Sequence, residues 1–562
     1  MLPLKIKVRV VKGKGRGKTL GFPTLNFTFP ENLNIPHGVY AGKILFNDKS
    51  YPGAIHFGPR PVFGEKDNSL EAFILDSFSD TIVDAQLELV KFIRDIKNFP
   101  DQNKLIDQIK QDVRVIKEIL QKVDNQNIQS IVNNTYPNYI AILKKLVSIN
   151  TVYSQPKSII KALNFCKKEL KNYLPNYKIY FDDQNNLLCF HPGFDSSQDI
   201  LYLSSHIDTV GADKSQWHKK FDPFIPYEDE QTIVGRGVND DKAGVAYELF
   251  LSLLISKYFP KTSNIVFTIT NREEQAGISA QEIGDQIGKK LPKGSKNYLI
   301  TLENNVRITS PPTLCINYGE NGAFAIEITD SLKAIKSFLR KDPNPWNPTS
   351  ISPMDDTKSV NYINLHQAGG HAATTARGKN LLYTLLFTKD IDSLILNAGD
   401  PKAISNVPDI IQYSKSDKTI KHKLICDLRS MKSLNQITKE LNKHSLNYHF
   451  IKSLDHGYDI KSKLFGDEIY KMMLKLKNDN LNLAFEINPG STDTGTILAK
   501  IDKNIKNKFI PLTMGPGSRS QRENDPPRLT HGVNETYMKT PGLESIKFIT
   551  EILSQMKFLR IN

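Results

Sequence analysis

Two patterns of apolar and polar positions divide the chain. Up to about residue 100, short apolar runs are separated by glycine and proline, which is typical of strands in a small β-barrel or sandwich. The predicted strands are KIKVRVV, GVYAGKILF, LEAFILD and DAQLELVKFI. After them, apolar residues recur with a period near 3.6 from Asn103 to Val123, which predicts a helix that follows the barrel.

The pattern of apolar and polar residues changes after this helix. Residues 124–138 (DNQNIQSIVNNTYPN) are polar and rich in asparagine, so we predict a linker there. From Tyr139 onward, amphipathic stretches alternate with compact apolar runs such as ILYLSS, NIVFTIT and YLITLE. This alternation indicates strands buried between helices, as in an α/β domain. We therefore predict a multidomain protein with a barrel and its C-terminal helix at 1–123, an α/β domain formed by 139–309 and 441–562, and an inserted α+β domain at 310–440.

The composition agrees with folded domains. A chain of 562 residues is too long for one core, and 39% apolar with 24% charged residues is typical of globular proteins. The N-terminus has no apolar signal core, and the chain has no apolar run of membrane-spanning length, so we expect a cytoplasmic protein without a membrane partner. The four cysteines are scattered, as expected of reduced thiols in that compartment.

The net charge of +14 raises the question of nucleic-acid binding, but lysines are spread along the whole chain. The one dense patch has seven Lys or Arg residues between Lys5 and Lys18. Its GKGRGKT run is not a P-loop, because that motif requires glycine at Lys12 and a helix after it, whereas FPTLNFTFP follows. A basic glycine-rich loop over nucleotide phosphates explains the patch as well, and we do not expect a nucleic-acid partner.

Residues that commonly bind metals follow three of the predicted strands. In open α/β sheets, ligands bind beyond the carboxyl ends of the strands. ILYLSS leads into His206, NIVFTIT leads into Glu273 and Glu274, and YLITLE ends at Glu303, while Asp240 lies on the glycine-rich turn GRGVNDDKAG. Imidazole and carboxylate ligands suit zinc or a similar divalent ion, and a carboxylate can bridge two ions. His531, in LTHGVNE, is a further candidate ligand.

The order of SHIDTV, GRGVNDDKAG, REEQ, the Glu303 strand end and GPG…THGVNE over residues 139–562 resembles the M20 family of metallopeptidases, which includes aminoacylases, dipeptidases and succinyl-diaminopimelate desuccinylase. The resemblance implies a hydrolase of peptide or N-acyl amide bonds with two divalent ions, either zinc or cobalt or manganese. It implies one ion on His206, Asp240 and Glu303, a second on Asp240, Glu274 and His531, Glu273 as the general base, and Asp208 as the residue that orients His206.

The same resemblance extends to the predicted inserted domain. GGHAATTARGKN resembles the family's lid or dimerisation domain, which implies a homodimer and makes His371 a candidate for stabilising the oxyanion. The resemblance also makes Asn406, Arg429 and Asp493 candidate substrate contacts. The stretch between Gly517 and His531 departs from the family pattern, so the identity of the substrate is not carried over.

The N-terminal motifs carry a second resemblance. GRGKTLGFPTLN, HGVYAG, HFGPRPVF, LEAFILD and FIRDIKNF occur in the order found in riboflavin kinase, over about residues 5–120. The resemblance implies that ATP, Mg²⁺ and riboflavin bind here, with the phosphate loop at Gly15 and Gly17, Mg²⁺ and the phosphates positioned by Thr24 and Asn26, and Glu71 as the base.

Two positions depart from the kinase pattern, with Val62 where threonine is usual and Phe73 where histidine is common. The sequence therefore leaves two hypotheses. One is a bifunctional enzyme that makes FMN from riboflavin and hydrolyses an amide. The alternative is a hydrolase that carries an inactive flavin- or nucleotide-binding regulatory module.

Overall fold

A computed structural model describes residues 2–30, 33–46, 49–76, 82–275, 277–331, 334, 337–338, 347–353, 365–366, 421–430, 433–444, 446–454, 457–488, 492–519 and 532–560. The chain forms two compact units, one of Met1–Asn134 with Ile561–Asn562 and the other of Thr135–Arg560. The candidate residues His371, Asn406 and His531 lie outside the described residues.

The first unit contains a closed barrel of six strands. They are β1 (Leu4–Val11), β2 (Thr24–Phe27), β3 (Gly38–Phe46), β4 (Lys49–Arg60), β5 (Glu65–Ile74) and β6 (Asp84–Asp95). The strands close in the order β1-β2-β5-β4-β3-β6. Alternate residues point inward, so that Ile6, Val8, Ile55, Phe57 and Leu87 form part of the barrel core. The predicted small barrel is confirmed.

The sequence prediction missed β2 and β4. β2 has only four residues and follows Pro23, while β4 contains Pro52 and Pro59, and proline weakens the strand signal because it removes a ladder donor. Both strands are nevertheless paired along their length, since β2 lies between β1 and β5, and β4 lies between β3 and β5. These are the strands that complete the outer face on which the candidate site lies.

Two helices belong wholly or partly to this unit. The short α1 (Arg16–Thr19) lies in the basic loop, and α2 (Gln102–Val147) begins after the barrel, with Ile116 and Leu120 packed against Ala41 of β3. The segment 124–138, where the sequence predicts a linker, is helical, because α2 is continuous through it. The apolar stripe continues at helical spacing through the fully buried Ile128 and Val132, and these two residues outweigh the polar composition around them.

The second unit contains a large mixed sheet. Its strands, with those of two smaller sheets, are β7 (Lys178–Phe181), β8 (Leu187–Phe190), β9 (Ile200–His206), β10 (Tyr227–Glu228), β11 (Thr232–Val234), β12 (Ile265–Thr270), β13 (Asn297–Thr301), β14 (Val306–Arg307), β15 (Thr313–Glu320), β16 (Gly322–Ser331), β17 (Asn347–Pro353), β18 (Leu365–His366), β19 (Lys421–Ser430), β20 (Tyr448–Leu454), β21 (Tyr458–Asp459), β22 (Asn482–Asn488), β23 (Phe509–Thr513), β24 (Ser518–Arg519) and β25 (Thr536–Met538). The main path of the large sheet is β24-β14-β15-β23-β13-β9-β12-β8-β7. Its central strands β23, β13, β9 and β12 are parallel.

The second unit also contains helices. They are α3 (Pro156–Tyr173), α4 (Lys242–Tyr258) and α5 (Ala280–Lys289), followed by helices at Leu434–Asn442, Lys461–Gly466, Glu468–Leu476, Asp493–Lys500, Lys503–Lys506 and Lys539–Gln555. Every residue of α4 from Lys242 to Ile255 is buried, as expected of a helix in the centre of a domain. Within the described part of the chain, no helix is both long enough and apolar enough to cross a membrane.

A separate five-stranded sheet, in the order β18-β17-β19-β16-β20, corresponds to the predicted inserted domain. Its last strand, β20, lies beyond residue 440, where the sequence analysis places the end of that domain. β15, in turn, pairs with β23 and belongs to the large sheet although it follows residue 309. The α/β unit with an inserted sheet agrees with the predicted fold class.

Candidate functional site

Three parallel strands bring the predicted metal-binding residues to one edge of the large sheet. β9 lies between β12 and β13, with Thr270 of β12 opposite His206 and Thr301 of β13 opposite Ser204. The loops that follow these strands carry Glu273 and Glu303. The carboxyl ends of neighbouring parallel strands meet at the same edge, which is where chemistry is expected in such sheets.

His206, Asp240 and Glu303 form a cluster that can hold a metal ion. Each of the three side chains is buried, and each offers a ligand atom within 4.8 Å of the others. His206 Nε2 lies 3.0 Å from Asp240 Oδ1. One imidazole and two carboxylates in a buried pocket suit a divalent ion such as zinc.

The electrostatics of this cluster also fit a bound cation. Burial lowers the pKa of His206, but hydrogen bonds that the ring donates to Asp208 and Asp240, together with the charges of nearby glutamates, outweigh it and hold the pKa well above its usual value. Burial, with the charge of neighbouring carboxylates, raises the pKa of Glu303 and of Glu273. One histidine therefore faces several buried acids, and a divalent cation compensates such an excess of negative charge.

Asp208 ties the histidine to the glutamate pair. Its Oδ1 accepts a hydrogen bond from the backbone N–H of Glu273 at 3.1 Å, and its Oδ2 accepts one from that of Glu274 at 3.0 Å. His206 Nδ1 lies 3.0 Å from the Asp208 backbone carbonyl and 3.5 Å from Oδ1. This arrangement orients the imidazole through the nitrogen opposite the one that faces Asp240.

Glu535 holds the loop that carries Asp240, and the sequence analysis did not single it out. Its Oε2 accepts hydrogen bonds from Arg236 Nη1 and the Gly237 N–H, both at 2.9 Å. Its Oε1 accepts the backbone N–H groups of Asn239 at 2.9 Å and Asp240 at 3.3 Å. Glu535 ends the quoted motif THGVNE, and a buried carboxylate that binds backbone amides leaves no spacing signal in a sequence.

Asp241 is a second residue missed at the sequence level. Its Oδ1 caps helix α4 by accepting the Gly244 N–H at 3.0 Å, and its Oδ2 accepts the His206 N–H at 3.2 Å. One side chain therefore fixes both the start of α4 and the end of β9. A glycine at position 515 serves the same region, because a Cβ there would lie 2.3 Å from the Glu303 carbonyl oxygen.

The remaining predicted residues of this site have different outcomes. Asp493, at the start of a helix, is buried and accepts a hydrogen bond from Thr270, while its Oδ1 has no hydrogen-bond partner among the described residues. Burial raises the pKa of Asp493 to about 6, and its charge is one of those that raise the pKa of Glu273. Glu274 follows Glu273 on the same loop but is not part of the three-residue cluster found among the described residues. Arg429 lies on β19 opposite Ala323, in the inserted sheet.

The barrel brings its own candidate residues into one row. Asn26 of β2 and His56 of β4 are the direct partners of Glu71 of β5 on its two sides. Their neighbours Ile55, Phe57, Leu70 and Ala72 point into the barrel core, so the row lies on the outer face. Thr24 Oγ1, two residues before Asn26 and on the same face, donates to Glu71 Oε2 at 3.2 Å.

The basic glycine-rich loop lies against this row. A Cβ at Gly17 would lie 2.4 Å from the Phe22 carbonyl oxygen and 3.0 Å from Thr24 Oγ1, so only glycine allows the close approach. Gly15 has a φ of 71°, in the left-handed region that favours glycine. Lys14 Nζ and Arg16 Nη1 lie 2.6 Å and 3.1 Å from Glu65 Oε1. Arg60 pairs with both Glu65 and Glu71.

These groups line a cavity within the first unit that the first turns of α2 and the basic loop help to form. Its polar wall includes Arg16, Thr24, His56, Arg60 and Glu71. Its apolar wall is rich in aromatic rings and aliphatic side chains: Leu20, Phe22, Val62, Phe63, Phe73, Phe99, Leu105 and Ile109. An apolar pocket with a few convergent polar groups is typical of a small-molecule site. Val62 and Phe73, the two departures from the kinase pattern, both belong to the apolar wall.

Comparison with known proteins gives one match for each unit. Residues 1–120 match the family model described as riboflavin kinase, and residues 202–555 match that of peptidase family M20/M25/M40. The bifunctional riboflavin kinase/FMN adenylyltransferase of Buchnera aphidicola (Schizaphis graminum) is 34% identical over 120 residues, which cover 21% of this chain and 38% of the relative. That of Escherichia coli K12 is 34% identical over 118 residues, with the same shares. The chain therefore spans well under half the length of these curated relatives.

Among solved structures, the di-peptidase Dug1p of Saccharomyces cerevisiae is similar at 14% identity and a TM-score of 0.49, over 77% of this chain and 98% of that one. Human carnosine dipeptidase 1 is similar at 13% identity and a TM-score of 0.48, over 77% and 99%. The M20 match spans more than half of the chain and contains the buried cluster. The chain belongs to the peptidase family M20/M25/M40 and carries a riboflavin kinase domain at its N-terminus.

Proposed function

We propose that the second unit hydrolyses a peptide or N-acyl amide bond with the help of two divalent metal ions. The observation that carries this proposal is the buried cluster of His206, Asp240 and Glu303 beside Glu273. Those three residues would hold one ion, and Asp240, Glu274 and His531 would hold the other. A divalent ion at this place would supply Lewis-acid polarisation of the amide carbonyl and a lowered pKa for a bound water.

The other residues have roles that follow from their contacts. Glu273 would accept a proton from the attacking water and pass it to the leaving amine, and its raised pKa suits a group that does both. Asp208 holds the Glu273 backbone and the His206 ring in place, as its hydrogen bonds support. We propose that Asn406, Arg429 and Asp493 contact substrate, that His371 stabilises the oxyanion, and that the inserted sheet forms a homodimer.

A substrate screen tests the hydrolase. The full chain, loaded separately with zinc, cobalt or manganese, is incubated with dipeptides, N-acyl amino acids and succinylated diamines, and free amine is measured. Light scattering on the same samples measures whether the chain is a dimer. A chain that binds no metal after loading, or that binds metal and cleaves none of the amides, contradicts the proposal.

We propose further that the first unit transfers the γ-phosphate of ATP to riboflavin and so makes FMN. Support comes from the hydrogen bond between Thr24 and Glu71 under the glycine-rich loop, next to Asn26 and an aromatic cavity. Thr24 and Asn26 would position Mg²⁺ and the phosphates, and Glu71 would accept the proton of the ribityl hydroxyl. Phosphoryl transfer depends mainly on positioning and charge neutralisation, so this small set of groups suffices.

Formation of FMN from ATP, Mg²⁺ and riboflavin, measured by chromatography, tests the kinase. One observation favours the alternative of an inactive flavin-binding module, since Arg60 pairs with the Glu71 carboxylate that the reaction needs. Riboflavin or FMN binding without ATP consumption, by a folded chain with Thr24 and Glu71 intact, supports that alternative and contradicts the kinase.

A further inference from the structure

The row across the outer face of the barrel contains a histidine to which neither proposed reaction assigns a role. His56 is the direct partner of Glu71 in the antiparallel pairing of β4 with β5. Directly paired residues on one face of a sheet have Cβ atoms about 5 Å apart, so the imidazole stands beside the Glu71 carboxylate. His56 also lines the cavity.

The ring of His56 has hydrogen-bonding capacity that the protein leaves unused. Its Nε2 is buried and has no hydrogen-bond partner among the described residues. A buried polar atom without a partner is destabilising, so such an atom in a cavity wall indicates a ligand group that satisfies it.

The surroundings of His56 keep the ring neutral at physiological pH. Burial, followed by the positive charges of Arg60, Arg94 and His37, lowers the pKa of His56 to about 4. A neutral imidazole offers one donor and one acceptor nitrogen, and a hydroxyl group can pair with either of them. A charged phosphate oxygen pairs only with the donor. The neutral ring thus suits a hydroxyl partner better than a phosphate.

We infer that His56 is a substrate-binding residue that hydrogen-bonds a secondary hydroxyl of the ribityl chain through Nε2. The inference rests on the proposed flavin site. Glu71 would face the terminal hydroxyl of the ribityl chain. The next hydroxyls along the same polyol would then lie beside His56, the residue of β4 that pairs with Glu71. The isoalloxazine ring would lie further away, against the aromatic wall of the cavity. His56 therefore selects for the polyol and not for the flavin ring.

The test compares two flavins that differ only in the ribityl group. Riboflavin carries the ribityl group, whereas lumiflavin has a methyl group in its place, and binding of each to the full-length protein is measured by fluorescence titration. We expect His56→Leu to weaken riboflavin binding by about tenfold and to leave lumiflavin binding within about twofold. His56→Gln, whose amide nitrogen reaches the position of Nε2, should retain most of the riboflavin affinity, whereas the shorter His56→Asn should not.

Controls separate a binding role from a structural one. His218→Leu removes an exposed histidine of the second unit that does not line the cavity, and it should leave both affinities unchanged. Thermal unfolding checks that each variant is folded, and the Gln and Asn pair decides the question if His56→Leu does not fold. An unchanged riboflavin affinity in His56→Leu, or an equal loss for both flavins, overturns the inference. Wild-type protein that binds flavin without making FMN contradicts the kinase alone, and wild-type protein that binds neither flavin overturns both.

Discussion

The two candidate sites both gather carboxylates, but they balance the charge in different ways. In the barrel, Glu65 and Glu71 pair with cations of the protein itself, namely Lys14, Arg16 and Arg60. At the edge of the α/β sheet, the carboxylates Asp240, Glu273 and Glu303 lie around His206, whose positive charge only partly opposes the upward shift of the pKa values of Glu273 and Glu303.

This difference in charge balance shows which ions or ligands each site requires. The barrel site carries its own counter-ions, and the phosphates of the proposed nucleotide would compete with Glu65 for the basic loop. In the acidic site, burial and the charge of neighbouring carboxylates shift the pKa values of Glu273 and Glu303 upward, and bound protons or metal cations would relieve that excess of negative charge. Carboxylates in one protein thus line a cavity in one case and form a candidate metal site in the other.

The largest effect is expected from Glu273→Gln. The variant should lose about 10²- to 10⁴-fold in hydrolysis, because it removes the proposed general base, and should keep bound metal and kinase activity. Turnover and metal content are measured on the same sample. Glu230→Gln, at an exposed position of the same unit, is the matched control. If Glu273→Gln loses its metal together with its activity, Glu273 is a metal ligand, and its assignment as the general base is contradicted.

A similar test applies to the barrel. Glu71→Gln should lower FMN formation by about a hundredfold or more, because no group then accepts the proton of the ribityl hydroxyl. The hydrolase should be unaffected. Glu118→Gln on the exposed face of α2 is the control. Equal FMN formation by Glu71→Gln and wild type would show that Glu71 is held by Arg60 for a structural purpose.

A smaller effect is expected at Glu535. Replacement by glutamine leaves one carbonyl oxygen where two carboxylate oxygens bind Arg236 and the amides of the Asp240 loop. Metal affinity should fall by about 10- to 100-fold, as for other residues that hold a ligand in place, which competition with a chelating dye measures. Unchanged affinity would mean that the loop keeps its position without this carboxylate.

The smallest effect concerns stability and pH. Burial raises the pKa of Glu320 to about 8, although hydrogen bonds from Thr492 and Gly495 oppose the shift. Between its unfolded pKa near 4.5 and about 8, the folded state binds more protons, so this group makes the second unit less stable as pH rises. Hydrogen bonding to Lys14 lowers the pKa of Glu65, so this group adds stability to the barrel above pH 4.5 that is lost in acid.

Calorimetric scans from pH 3 to 8 in a chelator check these opposite slopes, that of Glu320 between pH 5 and 8 and that of Glu65 below pH 4.5. The transition of the larger unit should fall by a few degrees as pH rises, and Glu320→Gln should have a flatter profile because it does not titrate. A profile of the same slope in Glu320→Gln and wild type would assign the pH dependence to other groups.

The parts of each site that lie at the ends of regular apolar runs could be predicted from the sequence. The three apolar runs predicted β9, β12 and β13, and the rule for parallel strands then predicted that His206, the Glu273–Glu274 pair and Glu303 lie at one edge, although the predicted ligand Glu274 is not in the cluster found among the described residues. Asp240 was recognised from its glycine-rich turn. Family resemblance, and no spacing rule, supplied the assignment of Glu303 as a ligand and of Glu273 as the base.

Other features depend on contacts between distant segments. Glu535 binds backbone amides some 300 positions earlier in the chain, and nothing in the residues around it signals that. His56 became notable only once β4, a strand with two prolines, was found beside β5. The helical course of 124–138 was missed because polar composition suggested a linker, whereas two buried residues, Ile128 and Val132, fix the segment as helix.

The difference in charge balance is tested most directly by thermal unfolding of the full chain with bound zinc and after chelation, at one pH near 7.5, with metal content measured on both samples. Ligand removal at a hundredfold excess over the dissociation constant costs about 2.7 kcal/mol. We therefore predict that chelation lowers the transition of the larger unit by several degrees and leaves that of the barrel unchanged. A chain that takes up no zinc, or whose two transitions shift equally, would contradict the account.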